Sequence, residues 1–216
     1  MLIDFPPPAK LVAFIIRMRL VFVHPDYTFF ALFGYYVTII LFKQYTQERN
    51  YFMIMSKNEL QERYAAFIED ATEEEQNVME EMIRGWEGKR KGQYYSFVGS
   101  WLQTNRNWKD DETYEVTIPL HKGLENPLSM VHGGVTATLL DSTMGGLANE
   151  ITPEGKGSVT LEMKINYIKP GKGETLRCES KVISKSKSMI VTEGKVYNDD
   201  NQVIAFGSGT FYIINL

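Results

Sequence analysis

The chain has a single cysteine, Cys178, among 216 residues. One thiol forms no internal disulfide and no metal-ligand spacing surrounds it, so the chain needs no oxidising compartment and reads as cytoplasmic, with a packed or half-exposed thiol. Basic charge is equally scarce. Lys and Arg number 23 against 27 Asp and Glu, giving a net charge of -4 and a pI near 5.5. The longest basic run is Lys89-Arg90-Lys91, which is not the footprint of a nucleic-acid surface. Repeats and low-complexity stretches are also missing. What is present is 44% apolar residues, enough for a sizeable core in one ordinary domain with extra length.

A long hydrophobic run is lacking too, although residues 1–52 come nearest to one. There Pro6-Pro7-Pro8 precedes two apolar stretches, Leu11 to Ile16 and Thr28 to Phe42. The uncharged residues from Tyr27 up to Lys43 make about 24 Å of helix, short of the roughly 20 residues that span a bilayer. A secretory signal fits poorly, because His24-Pro25-Asp26 interrupts the apolar region and no small-residue cleavage site follows. Three expectations therefore stand for this segment. It is a membrane anchor, with membrane contact only through residues 11–42; or a packed extension; or a start called too early, with Met53 or Met55 as the biological start. In the third case the codons of Glu48-Arg49 lie where a bacterial ribosome-binding site would be. An intact mass from the native host matching all 216 residues would overturn the later start.

From Lys57 the pattern becomes regular. Leu60, Tyr64, Phe67 and Ile68 fall at helical spacing, and Thr72 with Glu75 forms a capping box that opens a second helix. That helix carries the stripe Val78, Met79, Met82, Ile83 and Trp86, and Gly85 and Gly88 are expected to mark its end. Glu73-Glu74-Glu75 reads as a solvated first turn, not a metal site. Tyr95 to Trp108 is rich in aromatic and β-branched residues and predicts a strand, with Asn105-Arg106-Asn107 turn-like or exposed. Thr113 to Ile118 alternates with period two. After a long apolar helix come Ser158–Ile168, Glu174–Ser184, Ser188–Tyr197 and Gln202–Ile214, the last two joined by the turn Asn198-Asp199-Asp200-Asn201. Two strands, a helix and four more strands specify an α+β fold with an antiparallel sheet, curled if the helix is to be enclosed. The expected division is 1–52, an apolar segment; 53–91, a helical extension; and 92–216, the sheet-and-helix domain.

The stretch from Asn126 to Asp141 carries the chemistry. Val135, Ala137, Leu139, Leu140, Met144, Leu147 and Ala148 read as a helix that is apolar on nearly every side, where Asp141 is out of place. The acid is either bonded to hydroxyls such as Thr138 or Ser142, turned toward a wet cavity, or held for reaction. His132-Gly133-Gly134 at the helix start leaves unpartnered amides at the positive end of the dipole, which suits an oxygen that becomes negative during attack. Gly134 and Asp141 are about 10.5 Å apart along one helix, too far to flank one carbon. Two antiparallel copies about a twofold axis would bring the two halves together. His121 is expected to be a surface loop residue.

The run Asn126 to Asp141, with Gly157 to Tyr167 and Pro170 downstream, resembles the hotdog-fold acyl-CoA thioesterases of the PaaI-like type over about residues 92–215. The resemblance implies a curved antiparallel sheet wrapped around a central helix, preceded here by an N-terminal helix pair. It implies a homodimer or dimer of dimers that hydrolyses an acyl-CoA thioester without metal or cofactor. By position, Asp141 would be the nucleophile or the base that activates water, and the Gly134 amide would polarise the carbonyl. Gly133 and His132 would support that helix start, Asn126 would position water or substrate from the partner's side, and Thr160 would orient water. Met130, Met144 and Leu147 are candidate pocket-lining residues. Two other readings stand beside this one. A hotdog hydratase would need a second His shortly after Asp141, which is absent; a non-catalytic acyl-binding or assembly domain, with or without a membrane tether, would not need the acid.

Overall fold

The computed structural model describes residues 55–216, so every expectation for residues 1–52 falls outside the described part. The chain divides into two compact units, 1–64 and 65–216. Of the first, residues 55–64 are described, and they open helix α1 (Lys57–Asp70), whose expected apolar stripe is entirely exposed. No helix among the described residues is long and apolar enough to cross a membrane.

Helix α2 (Glu73–Arg90) begins with the expected capping box. Thr72 Oγ1 accepts from the Glu75 amide at 3.3 Å while the Thr72 amide donates to Glu75 Oε2 at 2.8 Å. Three acids in its first turn and Lys89 and Arg90 in its last complement the helix dipole. Gly85 and Gly88 do not end it. Both are buried, and a Cβ on Gly85 would collide with the Ser100 carbonyl oxygen, one on Gly88 with the Tyr94 ring. Gly85 thus lets a second backbone come close, and Gly88 seats the Tyr94 ring.

That second backbone is α3 (Phe97–Trp101), a short helix where the sequence predicts a strand. Ser96 caps it, its Oγ accepting from the Gly99 amide at 2.9 Å, and this local bond outweighs the β preference of the aromatic run. Gln103 Nε2 then donates to Glu81 Oε2 at 2.7 Å, fastening the turn to α2. Only the end of the predicted strand is one: β1 (Asn105–Trp108) contains the residues expected to turn, paired as Asn105 with Thr117, Arg106 with Val116 and Asn107 with Glu115.

Five further strands follow, close to their expected bounds: β2 (Tyr114–Pro119), β3 (Lys156–Tyr167), β4 (Thr175–Lys185), β5 (Met189–Tyr197) and β6 (Val203–Asn215). All pair antiparallel in the order β1-β2-β4-β5-β6-β3. The turn at Asn198–Asn201 is as expected, with Asn201 at φ 56° and the Gln202 amide donating to Asn198 Oδ1 at 2.9 Å.

The curved sheet wraps helix α4 (Gly133–Glu150), the hotdog arrangement. Val135, Thr136, Leu139, Leu140, Thr143, Met144, Leu147 and Ala148 are buried. This i, i+4 stripe faces Val116, Ile118, Leu176, Ile190 and Phe211 of the sheet in one core cluster. Gly194 and Gly209 make room for it, since a Cβ on Gly194 would lie 2.9 Å from Leu140 Cδ2 and 3.1 Å from Met144 Cγ. Enclosure is less complete than the sequence implies. Ala137, Thr138, Asp141, Ser142 and Gly145 form a half-exposed stripe of small side chains on α4, next to the edge strand β3, where Val159 and Leu161 are exposed.

Candidate functional site

The chain enters α4 held on two sides. The Val131 amide donates to the Gly171 carbonyl and the His132 amide to the Leu124 carbonyl, both at 2.9 Å. Before them, Asn126 builds its own loop: its Oδ1 accepts from the amides of Leu128 at 2.9 Å and Met130 at 3.4 Å, and its amide donates to the Met130 carbonyl at 2.7 Å. Ser129 closes this loop at φ 53°, a left-handed conformation. With Oδ1 committed inside the loop, the Asn126 Nδ2 donors are left for a ligand.

At the helix start the two glycine amides differ. The Gly134 amide donates to His132 Nδ1 at 2.9 Å, so His132 is the N-cap and its ring carries its proton on Nε2. The Gly133 amide has no partner among the described residues. Its own peptide is well polarised, because the His132 carbonyl accepts from Val135 at 2.9 Å and from Thr136 at 3.2 Å. Tyr167 Oη donates to the Gly133 carbonyl at 2.9 Å.

Asn126, Met130, Gly133 and Tyr167 line one cleft of about 310 Å³, with Ile168, Pro170 and Ile204 as apolar wall and Lys169 in its lining. Gly133 and Asn126, each with an amide donor to offer, line the same opening of the same chain. That arrangement can hold an oxygen on which negative charge develops.

Asp141 lies two turns further along α4, half-buried, and its Oδ1 accepts from Thr160 Oγ1 at 2.8 Å. Of the two neighbouring hydroxyls that could have held it, Thr138 Oγ1 donates to the Gly134 carbonyl at 2.8 Å instead, and Ser142 makes no hydrogen bond to the acid. Thr160 owes its place to a β-bulge, since β3 pairs Thr160 with Phe211 and Glu162 with Thr210, leaving Leu161 extra. Thus the sequence candidates fall into two groups, Asn126–Met130–Gly133 and Asp141–Thr160, about 12 Å apart along α4 by helix rise.

Two expectations are corrected. Met144, and with it Leu147, does not line this cleft: both are fully buried in the core, Met144 against Gly194 and Gly209 of the sheet. Position 144 lies three residues past Asp141, on the α4 face turned to the sheet. His121 is no open surface residue either, as both ring nitrogens are buried without a hydrogen-bond partner among the described residues. Tyr167 is the site residue that sequence reasoning missed. Its only signal was a place at the end of an alternating strand, where nothing tells that its hydroxyl reaches a carbonyl 34 residues earlier.

Comparison with known proteins identifies the fold and the family. Residues 128–205 match the thioesterase superfamily. A protein of Saccharolobus solfataricus provisionally named an esterase is 31% identical over 99 residues, which cover 46% of this chain and 70% of that protein. Human acyl-coenzyme A thioesterase 13 is 34% identical over 94 residues, covering 42% of this chain and 65% of the human protein. A Bacillus halodurans protein whose crystal structure was solved with CoA shares the fold at a TM-score of 0.66 and 37% identity, covering 71% of this chain and 99% of its own. The family match spans the Gly133 start of α4, Asp141 and Thr160, and with these relatives it establishes that the chain belongs to the thioesterase superfamily.

Proposed function

We propose that the chain hydrolyses acyl-CoA thioesters to free acid and CoA, with each active site shared between two copies. The observation that carries this reading is the division of labour on α4, with a free, polarised Gly133 amide at its start and the Asp141–Thr160 pair two turns along. The substrate carbonyl accepts from the Gly133 amide and Asn126 in the cleft. This moves the polarising role from Gly134, whose amide is taken by His132, to Gly133. Asp141, oriented by Thr160, serves as nucleophile or as the base that takes a proton from water, and the thiolate of CoA leaves.

The distance of about 12 Å between the groups forbids one chain from applying both to one carbon. A second copy related by a twofold axis, meeting the first along the edge strand β3, supplies the missing half. The half-exposed small residues of α4 and the exposed Val159 and Leu161 support contact on that side. Residues 92–216 are the proposed hotdog unit and 53–91 its helical extension, acting in the cytoplasm.

The test is release of free thiol from short, medium, long and aryl acyl-CoAs. Wild type should release it from at least one class. Asp141→Asn and Asp141→Ala should each lower kcat by two or more orders of magnitude, as expected for a group acting in the transition state, while KM changes little. Absence of thiol release from every class would leave a binding or assembly domain as the better reading.

A further inference from the structure

The peptide joining Gly133 to Gly134 is gripped at both ends. Its carbonyl accepts from Tyr167 Oη and its amide donates to His132 Nδ1, each at 2.9 Å. Such a double grip on one exposed peptide calls for a reason. With glycine on either side, no Cβ opposes rotation of the peptide plane, and the amides of a first helical turn lack the internal partners that fix those of later turns. A flipped plane would turn the Gly133 carbonyl, an acceptor, toward the cleft where a donor is needed.

We infer that Tyr167, together with His132, is a positioning residue of the hydrolytic site. Both hold this peptide in one orientation, so that the neighbouring Gly133 amide is the donor presented to the substrate carbonyl. The inference rests on the proposed thioesterase reaction for its kinetic consequence, but the peptide lock exists independently of it.

Tyr167 is built for this task. It is the last residue of β3, paired with Ala205. The next two amides, Ile168 and Lys169, both donate to the Ile204 carbonyl, at 2.8 Å and 3.1 Å. The sheet therefore fixes the backbone from which the phenol projects. Its ring carbons lie 3.7 Å from where a Gly133 Cβ would be, which is ordinary contact, so ring and hydroxyl both rest on the first turn of α4. His132 provides the opposite hold from within the chain that enters the helix. The two come from different elements and share no hydrogen bond with each other, so removing one leaves the other in place.

The experiment uses the full chain, with Tyr167→Phe, His132→Ala, His132→Asn and the double variant Tyr167→Phe/His132→Ala. Tyr167→Phe keeps the ring and its packing. Its kcat should fall about five-fold to ten-fold, the worth of one hydrogen bond, with KM within about two-fold. His132→Asn, whose side chain can also cap, should lose less than His132→Ala. The double variant should lose more than the product of the two single losses, because each grip covers for the other. Hydrogen exchange at the Gly134 amide, followed by NMR, should speed up in Tyr167→Phe although position 167 makes no bond to that amide. Wild-type exchange at Gly134 in Tyr167→Phe would overturn the lock, whatever the enzyme's activity. Normal kcat in a variant with faster exchange would overturn its catalytic use. Absence of thiol release by the wild type would instead count against the thioesterase reading, with the exchange result still deciding the lock.

Discussion

Thr160→Val tests how the acid of the site is held. The change keeps the shape of the side chain and removes the hydroxyl that donates to Asp141 Oδ1 at 2.8 Å. A hydrogen bond to a charged group contributes about 1.5–3 kcal/mol when sheltered. Asp141 is only half-buried and Thr160 exposed, so water replaces part of the loss and about 1 kcal/mol is the better figure. If the bond serves to aim the carboxylate at the reacting carbon, that loss appears in kcat as about five-fold. Thr160→Ser, which restores a donor, should recover most of it. Steady-state thiol release on the best acyl-CoA gives kcat and KM, and thermal unfolding shows that the strand is intact. Wild-type kcat in Thr160→Val alongside an inactive Asp141→Asn would refute the reasoning: Thr160 would then be an ordinary strand residue on a bulge, and Asp141 would aim itself.

Three further outcomes follow from packing and burial. Gly85→Ala should destabilise the fold by about 1–3 kcal/mol, read from urea unfolding, because the new methyl meets the Ser100 carbonyl oxygen and α2 must move off α3. Met144→Ala should cost about 2–5 kcal/mol, since the cavity is walled by strand residues at Gly194 and Gly209 that cannot close it; the acyl-length profile should stay unchanged, as a core residue does not touch substrate. Burial pushes the Cys178 thiol up from 9.0 to about 12, so it should stay unreacted with Ellman's reagent in the native protein. The unfolded thiol ionises near 9 while the native one does not, so stability is complete below that pH and declines by up to about 1.4 kcal/mol per pH unit toward 12. Urea midpoints across this window, compared with Cys178→Ala, give the slope.

Local chemistry is what the sequence spells out, and the elements ruled by it were legible. Thr72 and Glu75 announce a helix start because the two bonds they make span three residues. The alternation from Ser158 onward likewise predicts the strand β3, although its Val159 and Leu161 are exposed in a single copy. The misread elements depend on a partner that arrives from elsewhere. Gly85 reads equally well as a stop or as a place where another backbone packs, and Ser100, fifteen residues on, decides for the second. Tyr95 to Trp108 has strand composition, but the Ser96 cap and the glycine-lined seat under α2 turn its first half into a helix. Met144 has the hydrophobicity of a pocket wall, and only the rotation of α4 against β5 and β6 assigns it to the core.

The site divides along the same line. The spacing of Gly133, Gly134 and Asp141 was legible because it follows the helix. Which glycine amide stays open was not. Gly133 and Gly134 are identical as letters, and each opens a helix with an unpartnered amide. Two side chains separate them, since His132 occupies the second amide and Tyr167 fixes the carbonyl between them. The first amide has no partner among the described residues, and Gly133 lines the cleft with Asn126. In the proposed reaction the donor end is then complete within one chain, whereas Asp141 and Thr160 form a pair about 12 Å further along α4. A single copy that folds correctly would hold both halves and be unable to use either on the same substrate, so specific activity should fall with dilution wherever the copies separate.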